Sequence, residues 1–116
     1  MVNDKMVSRQ LKVARLQQKD LGDIFLTFAR RFHGVLISVT EVRVSPDLSV
    51  SNIYLSIFPS ERAGEIMEEI QLSAPQIRGE LGNRERFQLR IIPELNFHLD
   101  TTLDQMDHID QLLHKK

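Results

Sequence analysis

The side chains best suited to proton transfer near neutral pH, or to holding a metal, are the four histidines at 33, 98, 108 and 114. Asp104 and His108 stand four apart, which on a helix places two side chains on one face. A zinc or catalytic centre needs a third ligand or a nucleophile, and no other His, Asp or Glu takes a convincing position beside them. The pair therefore reads as surface chemistry. The chain has no cysteine, so thiol catalysis, zinc–thiolate sites and disulfides are excluded. It carries no nucleophile elbow and no phosphate-binding glycine loop. No enzymatic activity, no catalytic residue, no metal, no cofactor and no small-molecule substrate is expected.

The remaining chemistry is charge. The formal net charge is −1, but it is polarised. Lys5, Arg9, Lys12, Arg15 and Lys19 face only Asp4 in the first 19 residues. Arg78, Arg84, Arg86 and Arg90 outweigh Glu80 and Glu85 between 78 and 90, whereas 94–114 holds Glu94, Asp100, Asp104, Asp107 and Asp110 with no Lys or Arg. Such a map suits an anionic partner at one face. Gly79-Glu80-Leu81-Gly82 has the G-x-x-G spacing that some domains use to clamp a nucleic-acid backbone. It is read here as coincidence. Glu80 would oppose a phosphate, Leu81 suits a core, and Gly82 is expected to stop a helix in the left-handed conformation.

These groups need elements to position them. Residues 7–32 read as one amphipathic helix, with Leu11, Ala14, Gln18, Leu21, Phe25, Phe28 and Phe32 stepping by three and four. The basic residues fall mostly off that stripe, and Gly34 ends the helix. Arg30 and Arg31 flank that end, where cations favour the helix dipole. The β-branched run 35–44 and the run 50–58 form an antiparallel hairpin around Ser45-Pro46-Asp47-Leu48-Ser49, which is turn chemistry. After Pro59, Ser60 caps a helix over 61–72. Ser73-Ala74-Pro75 interrupts it, because Pro lacks an N–H and restricts the residue before it. A second helix is expected over 75–81, with Ser73 or Ala74 in the capping position. Residues 87–99 alternate as a strand with Phe87, Leu89, Ile91, Pro93, Leu95, Phe97 and Leu99 on one face. Pro93 marks an edge or a bulge. Thr102 and Gln105 form a capping box for a last helix over 101–113, with Leu103, Met106, Ile109 and Leu113 inward.

The resulting chain is one α+β domain over 1–116, with 1–6 frayed. Its order is α-β-β-α-α-β plus a short C-terminal helix, and its helices stack on one face of a three-stranded sheet. No apolar run is long enough to span a membrane and no signal peptide opens the chain, so no membrane partner is expected. Together with the absence of cysteine, this suits the cytoplasm.

Residues 89–113, LRIIPELNFHLDTTLDQMDHIDQLL, strongly resemble the C-terminal signature of ribosome-binding factor A. RQLKVARLQQKDLGDIF resembles that family's first helix, ISVTEVRVSPDLSVSNIYLSIF its hairpin, and SAPQIRGELG its kinked helix pair. The resemblance covers about 5–113 and implies a type II KH-like fold. It further implies a non-catalytic, monomeric factor that binds the small ribosomal subunit or its precursor, and its rRNA, during late maturation, with a link to growth in the cold. Family members carry Ala-x-Gly at the kink, where this chain has Ser73-Ala74-Pro75. Pro enforces the bend that Gly permits, and it offers no N–H to a phosphate.

The expected RNA-binding residues are Arg9, Lys12, Arg15, Lys19, Ser73, Ala74, Pro75, Arg78, Arg84, Arg86 and Arg90. Such cations give affinity with little base specificity. With only Tyr54 and six Phe, most of them at core positions, base stacking is not expected to dominate. The rival reading is a homodimeric protein-interaction module that pairs through a sheet edge without RNA. A steep fall of binding with salt separates the two.

Overall fold

The computed structural model describes residues 8–100, so the expected C-terminal helix over 101–113, with Asp104 and His108, lies outside the described residues. Helix α1 runs Ser8–Ala29 and buries Val13, Leu21, Ile24, Phe25 and Phe28, joined on the same stripe by Gln10, Gln17 and Asp20. The inward glutamine is Gln17, fully buried, while Gln18 is exposed and donates to the Val39 carbonyl at 3.2 Å. The helix stops before the expected 32. The amides of Arg30, Arg31 and Phe32 each bond the carbonyl three residues back, tightening the end, and Gly34 takes φ +69. That left-handed value favours glycine.

Strands β1 (Leu36–Val44) and β2 (Val50–Phe58) form the expected antiparallel hairpin, with a bulge between Val39 and Glu41. Its turn is built by Asp47. One carboxylate oxygen, Oδ1, accepts from Ser45 Oγ (2.8 Å), Ser49 Oγ (2.7 Å) and the Ser49 amide (3.1 Å). These bonds, those from Ser49 Oγ and Ser45 Oγ foremost, hold its carboxyl below the usual carboxylate range. The constraint forces Leu48 to φ 62.

Helix α2 (Ala63–Leu72) does not begin at a Ser60 cap. Ser60–Arg62 form a short 3-10 turn after extended Pro59, with no side-chain cap bond. The break before α3 (Ala74–Glu85) falls on Ser73, at φ −93 and ψ 3. Ala74, expected to leave helical geometry or serve as the cap, is instead the first helical residue, and Pro75 sits in the first turn, where a missing N–H removes no bond.

Two expectations fail beyond this point. Gly82 does not end α3, which runs four residues past Leu81 to Glu85; Gly34 is the only described glycine with positive φ. The strand over 87–99 shrinks to β3 (Glu94–Leu99). The amides of Gln88 and Leu89 turn back onto the Glu85 carbonyl (2.9 and 2.8 Å), so the chain is still winding out of α3 where alternation suggests extension. Pro93 then precedes the strand.

The sheet order is β1-β2-β3, with β3 parallel to β2 from Val50–Glu94 to Leu55–Leu99. One face, carrying Ile37, Val42, Ser51, Ile53, Leu55, Ile57 and Phe97, is buried under the helices. Phe25 meets Phe97 edge-on at 5.7 Å and Phe28 at 6.0 Å. Fully burying an Ile or Leu such as Ile53 or Leu55 contributes about 1.5–3 kcal/mol. The other face is polar. There His98 stacks on Tyr54 at 5.0 Å, and its Nε2 lies 2.9 Å from Asn52 Oδ1.

Candidate nucleic-acid interface

A helix turns about 100° per residue. Arg9, Lys12, Arg15 and Lys19 therefore span an arc of roughly 120° on α1, opposite the buried stripe. All four are exposed. Among the described residues none of them forms an ion pair. The core stripe thus fixes which way this cationic face points.

The arginines that follow differ in their engagement. Arg78 reaches back to the loop ahead of β3, donating from Nη2 to the Ile92 carbonyl (2.6 Å) and from Nε to the Pro93 carbonyl (3.3 Å). Arg84 ties the end of α3 to α1, with Nη1 at 3.3 Å from Asp23 Oδ2 and 3.9 Å from Asp20 Oδ1. Arg86 lies over the Phe87 ring at 4.9 Å from its centroid. Arg90 meets Arg9 at a cavity of about 340 Å3, floored by Val13, Leu48, Leu89 and Pro93 and flanked by Asp47 and Ser49. The α1 face and the end of α3 therefore form one cationic flank.

Ser73, Ala74 and Pro75 sit at the other end of α3. Twelve residues at about 1.5 Å each set roughly 18 Å between the two ends. Ser73 shares a small cleft with Arg31, whose guanidinium covers the Phe28 ring at 4.6 Å. Pro75 lines a separate open groove with Arg78 and Gly82. The fold thus does not gather the expected residues into one patch.

Two features escaped the sequence reading. Phe87, read as part of the apolar face of a strand over 87–99, is 87% exposed, and Ile91 is 75% exposed. Glu85, counted in the charge balance of 78–90, is fully buried. Its signal was the four-residue step Ile77, Leu81, Glu85, the buried stripe of α3. Neither Glu85 carboxyl oxygen, nor Gln17 Nε2, has a hydrogen-bond partner of normal geometry among the described residues. Burial, reinforced by the neighbouring Asp20 carboxyl, pushes the Glu85 carboxyl up to about 8, and the Gln17 amide opposes the shift.

The family model described as "Ribosome-binding factor A" matches residues 9–113. The chain is 49% identical over 108 residues to the ribosome-binding factor A of Cytophaga hutchinsonii, covering 92% of this chain and 81% of the relative. It is 42% identical over 111 residues to that of Christiangramia forsetii, covering 94% and 85%. The crystal structure of ribosome-binding factor A from Thermus thermophilus superposes with a TM-score of 0.64 at 20% identity, over 78% of this chain and 94% of that one, a likeness of KH-like α+β fold. By sequence over nearly its whole length, and by the fold that sequence builds, the chain belongs to the ribosome-binding factor A family.

Proposed function

We propose that the protein is a non-catalytic assembly factor, which binds the small ribosomal subunit or its precursor through folded rRNA during late maturation. It works as a monomer in the cytoplasm, and the demand for it is greatest in the cold. The observation that carries this reading is the exposed cationic arc of Arg9, Lys12, Arg15 and Lys19, without an ion-pair partner among the described residues, on a chain of a family named for ribosome binding. Phosphates dominate affinity in such complexes. A helix face with fixed charge spacing reads the contour of structured RNA rather than its base edges. Arg86 and Arg90 extend the arc across the end of α3. Arg78 and Arg84 serve it indirectly, by holding the loop ahead of β3 and the α1–α3 contact. Ser73, Ala74 and Pro75 offer at most a second, smaller contact near Arg31.

With six cations engaged, association should weaken roughly 10³-fold between 50 and 200 mM salt. The decisive variant reverses Lys12, Arg15 and Lys19 to Glu. Co-sedimentation with small subunits should be lost while the melting transition is retained. Unchanged co-sedimentation would remove α1 from the interface.

A further inference from the structure

The segment Arg84-Glu85-Arg86-Phe87-Gln88-Leu89-Arg90 sits between two fixed points. At one end Glu85 is buried, and its carbonyl accepts from the Gln88 and Leu89 amides. At the other, the Arg78 guanidinium holds the Ile92 and Pro93 carbonyls. The loop between these anchors packs Leu89 against the core and turns Phe87 and Ile91 outward. Phe87 is the most exposed large apolar residue among those described, at 87%, and Ile91 on the same loop is 75% exposed.

A lone exposed phenylalanine needs no explanation by itself. Its surroundings do. Arg86 covers the ring from 4.9 Å. Arg90, three residues on, converges with Arg9 of α1 on the apolar-floored cavity beside the loop. Of the acids nearby, Glu85 is buried and Asp20 and Asp23 face Arg84; Asp47, across the cavity, keeps its charge but has Oδ1 turned into its own Ser45–Ser49 turn. An exposed aromatic ring beside Arg86, on a loop that also carries Arg90, combines a stacking platform with phosphate partners, the combination that holds single-stranded nucleic acid. A paired base is already stacked on both faces and cannot use such a ring.

We infer that the 86–91 loop receives an unpaired nucleotide of RNA, its base stacked on Phe87 and its flanking phosphates on Arg86, Arg90 and Arg9. This rests on the RNA-binding reading above and adds to it a preference for unpaired over paired positions. Stacking is tolerant of base identity, so the loop selects accessibility rather than sequence.

The test uses the full chain with a hairpin RNA carrying an unpaired adenine-rich loop, and a blunt duplex of the same stem. Phe87→Ala should weaken hairpin binding roughly 5- to 100-fold. Its duplex binding and salt slope should be unchanged. Phe87→Tyr should restore hairpin binding and Phe87→Leu should not. The chain has no tryptophan, so Phe87→Trp introduces a sole indole whose emission should be quenched by the hairpin and not by the duplex. Equal losses on both RNAs, rescue by Leu, or unquenched emission would overturn the inference while leaving RNA binding intact. Failure of the unmodified chain to bind either RNA would overturn both.

Discussion

Glu85→Gln isolates the proton that the fold keeps on a buried acid. In the unfolded chain this carboxyl titrates at its ordinary 4.5, and in the folded chain at about 8. Below pH 4.5 both states hold the proton, and the group imposes no ionisation penalty. Between 4.5 and 8 the unfolded chain releases a proton that the folded chain retains, so stability falls as pH rises. At about 1.4 kcal/mol per unit, the span caps the loss at roughly 5 kcal/mol. Opening of the α3 end, which lets water reach the carboxylate, reduces this to about 2–3 kcal/mol. Glutamine keeps the shape and carries no proton to lose. The variant should match the parent at about pH 4 and exceed it by about 2–3 kcal/mol at about pH 8. Urea unfolding at a series of pH values, with unchanged m, reads this directly. Asp20 and Asp23 of α1, Arg84 of α3, and Gln17 near Glu85 remain in place, and pH dependence common to both proteins comes from groups other than Glu85. A parent–variant gap that stays constant with pH, or a glutamine variant weaker than the parent at the alkaline end, would refute the reasoning.

Arg78→Ala should loosen the loop ahead of β3, lowering stability by about 1–2 kcal/mol through two lost charged-donor bonds. Hydrogen exchange should rise at residues 86–93, while the salt slope of RNA binding stays unchanged. Pro75→Gly should keep the Ser73 bend and cost roughly 0.4–1 kcal/mol through added unfolded-state entropy, measured by thermal melting. Global collapse of that variant would mean that the ring is needed to make the bend.

The parts of the fold legible in the sequence are those with a local cause. Ser45, Asp47 and Ser49 specify the hairpin turn from their own side chains, and both strands followed with bounds close to those observed. The α1 stripe was legible except at its polar positions. There Gln17 rather than Gln18 turns inward, because its Oε1 accepts from buried Ser51 Oγ (2.6 Å), a partner 34 residues away that no periodicity announces. The 86–93 segment was misread because its apolar alternation is real but is not tied to a sheet. Its course is set by the distant Arg78 clamp and the Glu85 carbonyl. The same non-local cause hid the outward Phe87. For the candidate interface, the cations on α1 were placed by helical phase alone. The split between the Ser73 bend and the α1 flank depends on α3 running on through Gly82 to Glu85, beyond the stop that glycine suggested.

The parallel pairing of β2 with β3 also bears on how the chain assembles. The hairpin closes over a five-residue turn, but Val50 meets Glu94 only after both intervening helices have been made. Closing so long a loop is entropically late, and contacts of this separation slow folding. On a nascent chain, α1 and the hairpin can collapse while the rest is still being made. Phe97 then closes the core against Phe25 as the final described strand arrives, so completion of the fold waits on sequence that follows the 86–91 loop.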